Sequence, residues 1–251
     1  MPLAGEKDTV MEQSLSTGRN RLLAVLGDAG RALLEPHLEE VPLDQGKLLQ
    51  EQGDDIDDIY FPHSGMISLV TVMNKGGKII ETATVGREGA VGAMAGFGPR
   101  HAFRRAIVQV GGTAAKIATG QFQERVRSSE MLRDVLVRYN ELLLAQVQQA
   151  AACNAFHDAD QRLARWLLQT RDRIDSNTIP LTQEFLAQML GVRRTTVTLI
   201  AQGLQERGYL RYRRGRVEIV DREGLESVAC ECYRTMREQI DEYFPRSGSA
   251  S

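Results

Sequence analysis

The chain has 251 residues, of which 42% are hydrophobic and 25% charged, with a formal net charge of −2 at pH 7. These values fit one large or two modest globular domains and exclude a disordered or collagen-like chain. The slightly acidic total excludes a molecule that is basic overall, so affinity for a polyanion would have to come from local charge, and no apolar run approaches the ~18 residues of a membrane span.

Residues 1–20 are polar and read as a flexible tail rather than a targeting segment. From Arg21 to Leu38, Leu22, Leu23, Val25, Leu26, Leu33 and Leu34 recur at helical spacing, and Gly27-Asp28-Ala29-Gly30 divides the stretch into two short helices. At Val41 the period changes to short or alternating apolar runs. Val41–Leu43, Lys47–Leu49, Asp58–Phe61, Met66–Met73, Lys78–Val85 and Arg105–Val110 are predicted strands. Turn signals separate them at Asp44–Gly46, Gln52–Asp54, Pro62–Gly65, Asn74–Gly77 and Gly111-Gly112. No helix of useful length lies between these strands, which argues against a parallel sheet and for a jelly roll or small barrel.

Helical spacing returns near Gly120, and Ser128-Ser129-Glu130 can open a long helix with a serine cap. Met131, Leu132, Val135, Leu136, Tyr139, Leu142, Leu143 and Val147 form an apolar stripe that ends near Ala155. Such a stripe suits either a coiled-coil dimer seam or packing on the chain's own domain. Its place between two units favours the seam. A second helix spans Asp158–Ile174 with Leu163, Trp166, Leu167 and Leu168 inward, and Asp172–Pro180 is a polar loop.

Leu181–Gly191 reads as a helix capped by Thr182, with Glu184 in the first turn and Gly191 at the stop. Val192 fills the turn, and a second helix runs from Arg193 to Arg207 with Val197, Ile200, Ala201 and Leu204 inward. Helix, glycine turn and helix at this spacing form a helix-turn-helix, whose second helix lays its N-terminal residues in the DNA major groove. Arginine there can fork onto guanine, and threonine can touch a base edge or a thymine methyl. The alternation on both sides of Arg214-Gly215 predicts a β-hairpin wing. Residues 181–220 hold seven arginines against three glutamates, a positive surface inside an acidic chain. The residues assigned to DNA are Thr182, Gln183, Arg193, Arg194, Thr195, Thr196, Thr198, Leu199, Arg211, Arg213, Arg214 and Arg216.

Residues 221–251 offer Leu225, Val228, Tyr233, Met236, Ile240 and Tyr243 for a further helix, expected to pack against the wing unit. The three cysteines, Cys153, Cys230 and Cys232, cannot pair evenly, which points to a reduced cytoplasmic setting. Cys230-x-Cys232 has no histidine near it in sequence, so no metal ligands are assigned.

The order of these parts resembles the Crp/Fnr family of bacterial regulators, over roughly residues 21–232. The most specific stretches are Asp160-Gln161-Arg162-Leu163-Ala164-Arg165-Trp166-Leu167-Leu168 and Leu181–Leu210. The resemblance implies an α+β fold: an N-terminal β-roll of the cyclic-nucleotide-binding type (21–127), a long dimerisation helix (128–156) and a C-terminal winged helix-turn-helix (157–232), followed by an extension (233–251). It implies a homodimer on double-stranded DNA with half-sites about one helical turn apart, with RNA polymerase as a partner if the regulator activates. It puts Arg194 where the cyclic-AMP receptor reads guanine, while Thr195, Leu199 and Arg193 replace the glutamate, arginine and capping serine common in the family.

The resemblance also places an effector site at Gly86, Arg87, Glu88, Gly89, Gly92, Ala93 and Met94, with Arg104 and Arg105. Ala93 stands where nucleotide-binding members use a glutamate on the ribose, and Arg105 where they use a hydroxyl residue on the phosphate. Standard cyclic AMP contacts are therefore lost, and a nucleotide effector of another kind stays open. An iron–sulfur sensor would need four cysteines, and a haem sensor axial ligands; His37, His63, His101 and His157 are scattered and read as surface or capping residues. The chain is expected to bind rather than catalyse. The alternative is a ligand-binding regulatory subunit that acts through a protein partner.

Overall fold

Alternating apolar residues between Glu39 and Ala118 fold into two antiparallel sheets. The structure, a computed structural model, describes residues 20–73, 79–174 and 176–245. The tail expected at 1–20 lies outside these except for Asn20, as do the turn expected at Asn74–Gly77 and Lys78. The strands are β1 (Glu39–Leu43), β2 (Leu48–Gln50), β3 (Asp58–Pro62), β4 (Met66–Val72), β5 (Ile79–Val85), β6 (Arg105–Val110) and β7 (Gly112–Ala118). One sheet has the order β1-β7-β3 and the other β2-β6-β4-β5. Residues from both sheets, including Leu43, Tyr60, Ile67, Val85, Val108 and Ala114, share one core, so the sheets close on each other as a roll.

Strand β7 is an addition to the six expected. Its run of Gly, Thr, Ala, Ala and Lys carries little β-branched signal. At its start the chain crosses from one sheet to the other, and a Cβ on Gly112 would lie 2.3 Å from the Ser64 carbonyl oxygen. Only glycine permits that approach.

Two short helices precede the roll, α1 (Arg21–Ala24) and α2 (Gly27–Leu34). The break falls at Val25-Leu26 rather than within Gly27–Gly30. After the roll come α3 (Thr119–Ser128) and the 27-residue α4 (Glu130–Phe156). Ser129 caps α4 as expected, its Oγ accepting the Leu132 amide at 3.2 Å.

The stripe of α4 is used differently from the expected seam. Leu132, Val135, Leu136, Tyr139 and Leu142 are buried in the chain's own core with Leu22, Leu34, Phe61 and Phe122. Leu143 and Val147 pack against the core between the sheets. Of the eight, only Met131 is counted as exposed. Val137 and Leu144 are exposed one heptad apart on another side of the helix, with exposed Ala151 a heptad further and exposed Phe156 at the helix end. Roll and helix bury one face of α4 together, and periodicity alone does not distinguish a partner helix from a sheet.

The C-terminal unit comprises α5 (Ala159–Ile174), β8 (Thr178–Ile179), α6 (Gln183–Leu190), α7 (Arg194–Glu206), β9 (Leu210–Arg213), β10 (Arg216–Ile219), α8 (Arg222–Val228) and α9 (Cys232–Tyr243). Strands β8, β10 and β9 form a small sheet in that order. Trp166, Leu167, Leu186, Val197, Leu204, Val217 and Leu225 form its core, joined by Met66 and Val110 of the roll.

Helix α9 packs on the C-terminal unit as expected only at its start, where Tyr233 joins that core; it then returns along α4 and puts Met236 and the following Phe244 in the N-terminal core. Phe244 meets Tyr139 edge-on at 6.2 Å, and Arg21 donates to both Asp241 and the Phe244 carbonyl. Met236 and Ile240 lie one turn apart on the helix, which suits the long α4 better than a short hairpin. No helix among the described residues is long and apolar enough to cross a membrane.

Candidate nucleic-acid interface and effector cleft

Local capping sets the angle between α6 and α7. The Thr182 hydroxyl accepts the Phe185 amide at 3.2 Å, and Gly191 ends α6 in the left-handed region at φ 66°. The Val192 amide then reaches the Ala187 carbonyl at 3.0 Å, closing the turn. Val197, Ala201 and Leu204 anchor α7 in the core. Arg193, Arg194, Thr195, Leu199 and Gln202 are left exposed on the opposite side, with Leu199 69% exposed. Arg193 stands at the N-cap with no side-chain hydrogen bond to the helix, so the positive end of α7 opens between Arg193 and Arg194.

Thr196 and Thr198 are half-buried. The Thr198 hydroxyl donates to Gln183 Oε1 at 2.8 Å, which ties α7 to α6 and occupies both side chains. Strands β9 and β10 pair Arg213 with Arg216, and the two turn residues both have positive φ, Arg214 at 42° and Gly215 at 76°. This is the type I′ hairpin geometry that matches strand twist. Arg213, Arg214 and Arg216 are exposed, whereas Arg211 is paired with Glu218 at 2.9 Å. The Tyr212 hydroxyl donates to the Leu181 carbonyl at 3.0 Å and Gln205 Oε1 accepts the Tyr212 amide at 2.7 Å, so the wing is fixed to α7 and to the segment that leads into α6.

A cleft of about 250 Å³, partly open to solvent, lies between the roll and α4. Of the residues assigned to an effector, Gly92, Ala93, Met94 and Arg104 line it. His101 and Phe103, next to Arg104 in sequence, line it too, as do Gln50, Tyr139 and Leu143, which escaped sequence reasoning because only the fold brings those distant segments together there. Among the described residues, Arg104 is the one arginine in the lining, and no carboxylate belongs to it. The buried Nε2 of Gln50 has no hydrogen-bond partner among the described residues. Arg105 lies outside the lining and is bonded to Glu51, with Nη2–Oε2 at 2.7 Å, which holds the Glu51 carboxyl below the usual carboxylate range.

Gly86, Arg87, Glu88 and Gly89 also lie outside the cleft lining and form the joint between the two units. Arg173 near the end of α5 inserts its guanidinium here, with Nη2 2.5 Å from Glu88 Oε1 and Nη1 2.6 Å from Thr84 Oγ1. Burial works against the Glu88 charge, yet the Arg173 guanidinium holds its carboxyl below the ordinary value. Arg87 donates to the Arg173 carbonyl at 2.9 Å. A Cβ on Gly86 would meet Arg173, and one on Gly89 would meet Tyr139. The four residues thus sit between α5 and α4 and lead directly into the cleft wall at Ala90–Ala95. Trp166 on α5 donates to Glu81 Oε1 at 2.9 Å, and burial pushes the Glu81 carboxyl up to about 7 against the hydrogen bonds from Ser68 and Trp166.

The cysteines are not isolated. Cys153, Cys230, Cys232 and His157 place their ligand atoms within 4.8 Å of one another. The histidine missing from the neighbourhood of Cys230-x-Cys232 in sequence is supplied across 75 residues. Of the other histidines, His63 is buried and bonded to Glu40 at 2.9 Å, contrary to its reading as a surface residue, and His101 borders the cleft.

Comparison with known proteins follows this division of the chain. A sequence model of the cyclic nucleotide-binding domain matches residues 40–129, and one of the Crp-like helix-turn-helix domain matches residues 161–228. Among solved structures, a transcriptional regulator of the CRP/FNR family from Thermus thermophilus is similar at a TM-score of 0.62 and 22% identity, over 76% of this chain and 98% of that one. The c-di-GMP responsive global regulator CLP of Xanthomonas campestris is similar at 0.60 and 18% identity, over 76% and 98%. FixK2 from Bradyrhizobium japonicum is similar at 0.60 and 13% identity, over 77% and 98%. No curated protein sequence matches the chain.

Proposed function

The chain belongs to the Crp/Fnr family of transcriptional regulators, and from that premise we propose that it is a homodimer which reads a two-fold DNA site under control of a small anionic effector. The observation that carries this reading is the exposed row Arg193, Arg194 and Thr195 at the open end of α7, flanked by Arg213, Arg214 and Arg216 on the wing. Arg194 reads guanine, Thr195 and Leu199 contact neighbouring bases, and the wing arginines hold phosphates. Thr198 and Gln183 brace α6 against α7, and Arg211, paired with Glu218, contributes less.

Dimerisation uses the outer side of α4, through Val137, Leu144 and Ala151. The chain's own core already occupies most of the stripe expected to form that seam. The two recognition helices then address half-sites about one helical turn apart.

The effector sits in the cleft beside α4, its negative charge on Arg104 and a polar edge on Gln50 Nε2. A ribose held by a carboxylate is not part of this reading, because Ala93 offers none and the lining supplies no other. A phosphate-bearing ligand with a broad apolar face fits the lining better. The responsiveness of the Xanthomonas relative to c-di-GMP makes cyclic dinucleotides the first class to screen.

The test is selection of binding sites from a random double-stranded pool by the full chain, followed by anisotropy at several salt concentrations. Enrichment of a two-fold symmetric sequence with a steep salt dependence supports the proposal. Absence of any enriched sequence, or binding indifferent to salt, would overturn it and favour control through a protein partner.

A further inference from the structure

Three cysteines and one histidine converge where the long helix ends and the C-terminal helix begins. Cys153 and His157 stand one turn apart at the end of α4, with His157 the residue that stops the helix. Cys230 lies in the short link after α8, and Cys232 is the first residue of α9. All three cysteines are buried and unpaired as disulfides. The Cys153 and Cys230 sulfurs are 3.6 Å apart, and Cys232 Sγ is 3.5 Å from His157 Nδ1.

These separations can be compared with what a metal would demand. Tetrahedral zinc with Zn–S of about 2.3 Å and Zn–N of about 2.0–2.1 Å puts thiolates about 3.8 Å apart, and sulfur and nitrogen about 3.5 Å apart. Both observed distances fall on those edges. A multi-iron cluster would hold its ligands on different irons and spread them further than the 4.8 Å that encloses all four here. A disulfide between Cys153 and Cys230 would require about 2.05 Å and would leave Cys232 and His157 unexplained.

The surroundings also suit a metal. His157 Nε2 lies 3.1 Å from Glu231 Oε1, the carboxylate–histidine arrangement that leaves the other ring nitrogen free to ligate. Gln149 Nε2 donates to Cys232 Sγ at 3.0 Å, a bond suited to a thiolate. Four protein ligands leave no open position, so the chemistry is structural rather than catalytic.

We propose that Cys153, His157, Cys230 and Cys232 bind one zinc ion that clamps the DNA-reading unit at both of its ends. Cys153 and Cys230 are 77 residues apart, and the segment between them contains α5, the helix-turn-helix, the wing and α8. The zinc ties the joint after α4 to the start of α9. It fixes the hinge about which the DNA-reading unit would turn.

The test uses untagged full-length protein, purified under reductant without chelator and analysed for metals by elemental mass spectrometry. The expected result is about one zinc per chain, reduced by roughly tenfold or more in Cys153→Ser and Cys230→Ser. Chelated wild-type protein titrated with cobalt(II) should develop the visible bands of a tetrahedral thiolate site together with sulfur-to-cobalt charge transfer. This second measurement holds even if the serine variants fail to fold. Reduced wild-type protein without zinc and without the cobalt spectrum would overturn the proposal, as would a Cys230→Ser variant that keeps its full zinc content.

Discussion

Arg173 on α5 lies with its Nη2 2.5 Å from Glu88 Oε1, across 85 residues of sequence, and this buried pair fastens the DNA-reading unit to the loop that leads into the cleft. Arg173 Nε also reaches the same oxygen at 2.9 Å, and Glu88 Oε1 accepts the Gly86 amide at 3.1 Å. Movement of the cleft wall would therefore reach α5 through three residues. A ligand acts here only if it binds one arrangement of this joint better than another.

Arg173→Ala leaves the Glu88 carboxylate buried and unpaired, which is expected to cost about 3–5 kcal/mol in urea unfolding. The double variant Arg173→Met/Glu88→Leu should recover most of that loss. Single-variant effects that add within about 0.5 kcal/mol would mean that the two side chains do not act as a pair. Because the fold lowers the Glu88 value, the stability from this pair is present above the ordinary carboxylate value and is lost as pH falls through the lowered one.

Glu81 should behave in the opposite sense. Its folded value is raised from 4.5 to about 7, so across that window the folded state keeps a proton that the unfolded state has released. Stability then falls as pH rises from 4.5 to about 7 and levels off above it. Trp166, the only tryptophan of the chain, donates to Glu81 and reports the change by fluorescence. Glu81→Gln should abolish the fluorescence titration near neutrality; persistence of that titration would assign it to another group.

On DNA, Arg194→Ala should weaken binding at one guanine position by about 1–3 kcal/mol and leave other positions little changed. Arg213→Ala or Arg214→Ala should weaken binding on all sequences and flatten the salt slope by about one unit each. Competition against a panel of single-base site variants separates the two outcomes. Equal loss on every variant after Arg194→Ala would remove that residue from base reading.

Val137→Asp and Leu144→Asp put charge on the outer side of α4, where both residues are about half exposed, at 48% and 54%. Sedimentation velocity should find both variants monomeric, with thermal stability near that of the wild type. Leu136→Asp, by contrast, should unfold the N-terminal unit, because Leu136 is fully buried in the chain's own core. Dimers that survive both surface substitutions would place the seam elsewhere.

The reading unit was legible in the sequence because its signals are local. Thr182 caps its own helix, Gly191 supplies the left-handed stop, and Arg214-Gly215 closes a hairpin between adjacent strands. Each depends on the backbone within a few residues, so spacing and residue type suffice. The roll was legible as a class for the same reason, although β7 was missed where small residues replace β-branched ones.

The remaining features depend on segments distant in sequence. Whether Leu132, Val135, Leu136, Tyr139 and Leu142 faced a partner helix or the roll was open, since both demand the same apolar stripe. The assignment of Glu88 to Arg173, of Tyr139 to the cleft wall and of His157 to three cysteines required the fold to close loops of tens of residues. Local propensity carries no information about which distant groups meet; burial does, because an ionised or polar side chain taken out of water must find its partner wherever the chain brings one.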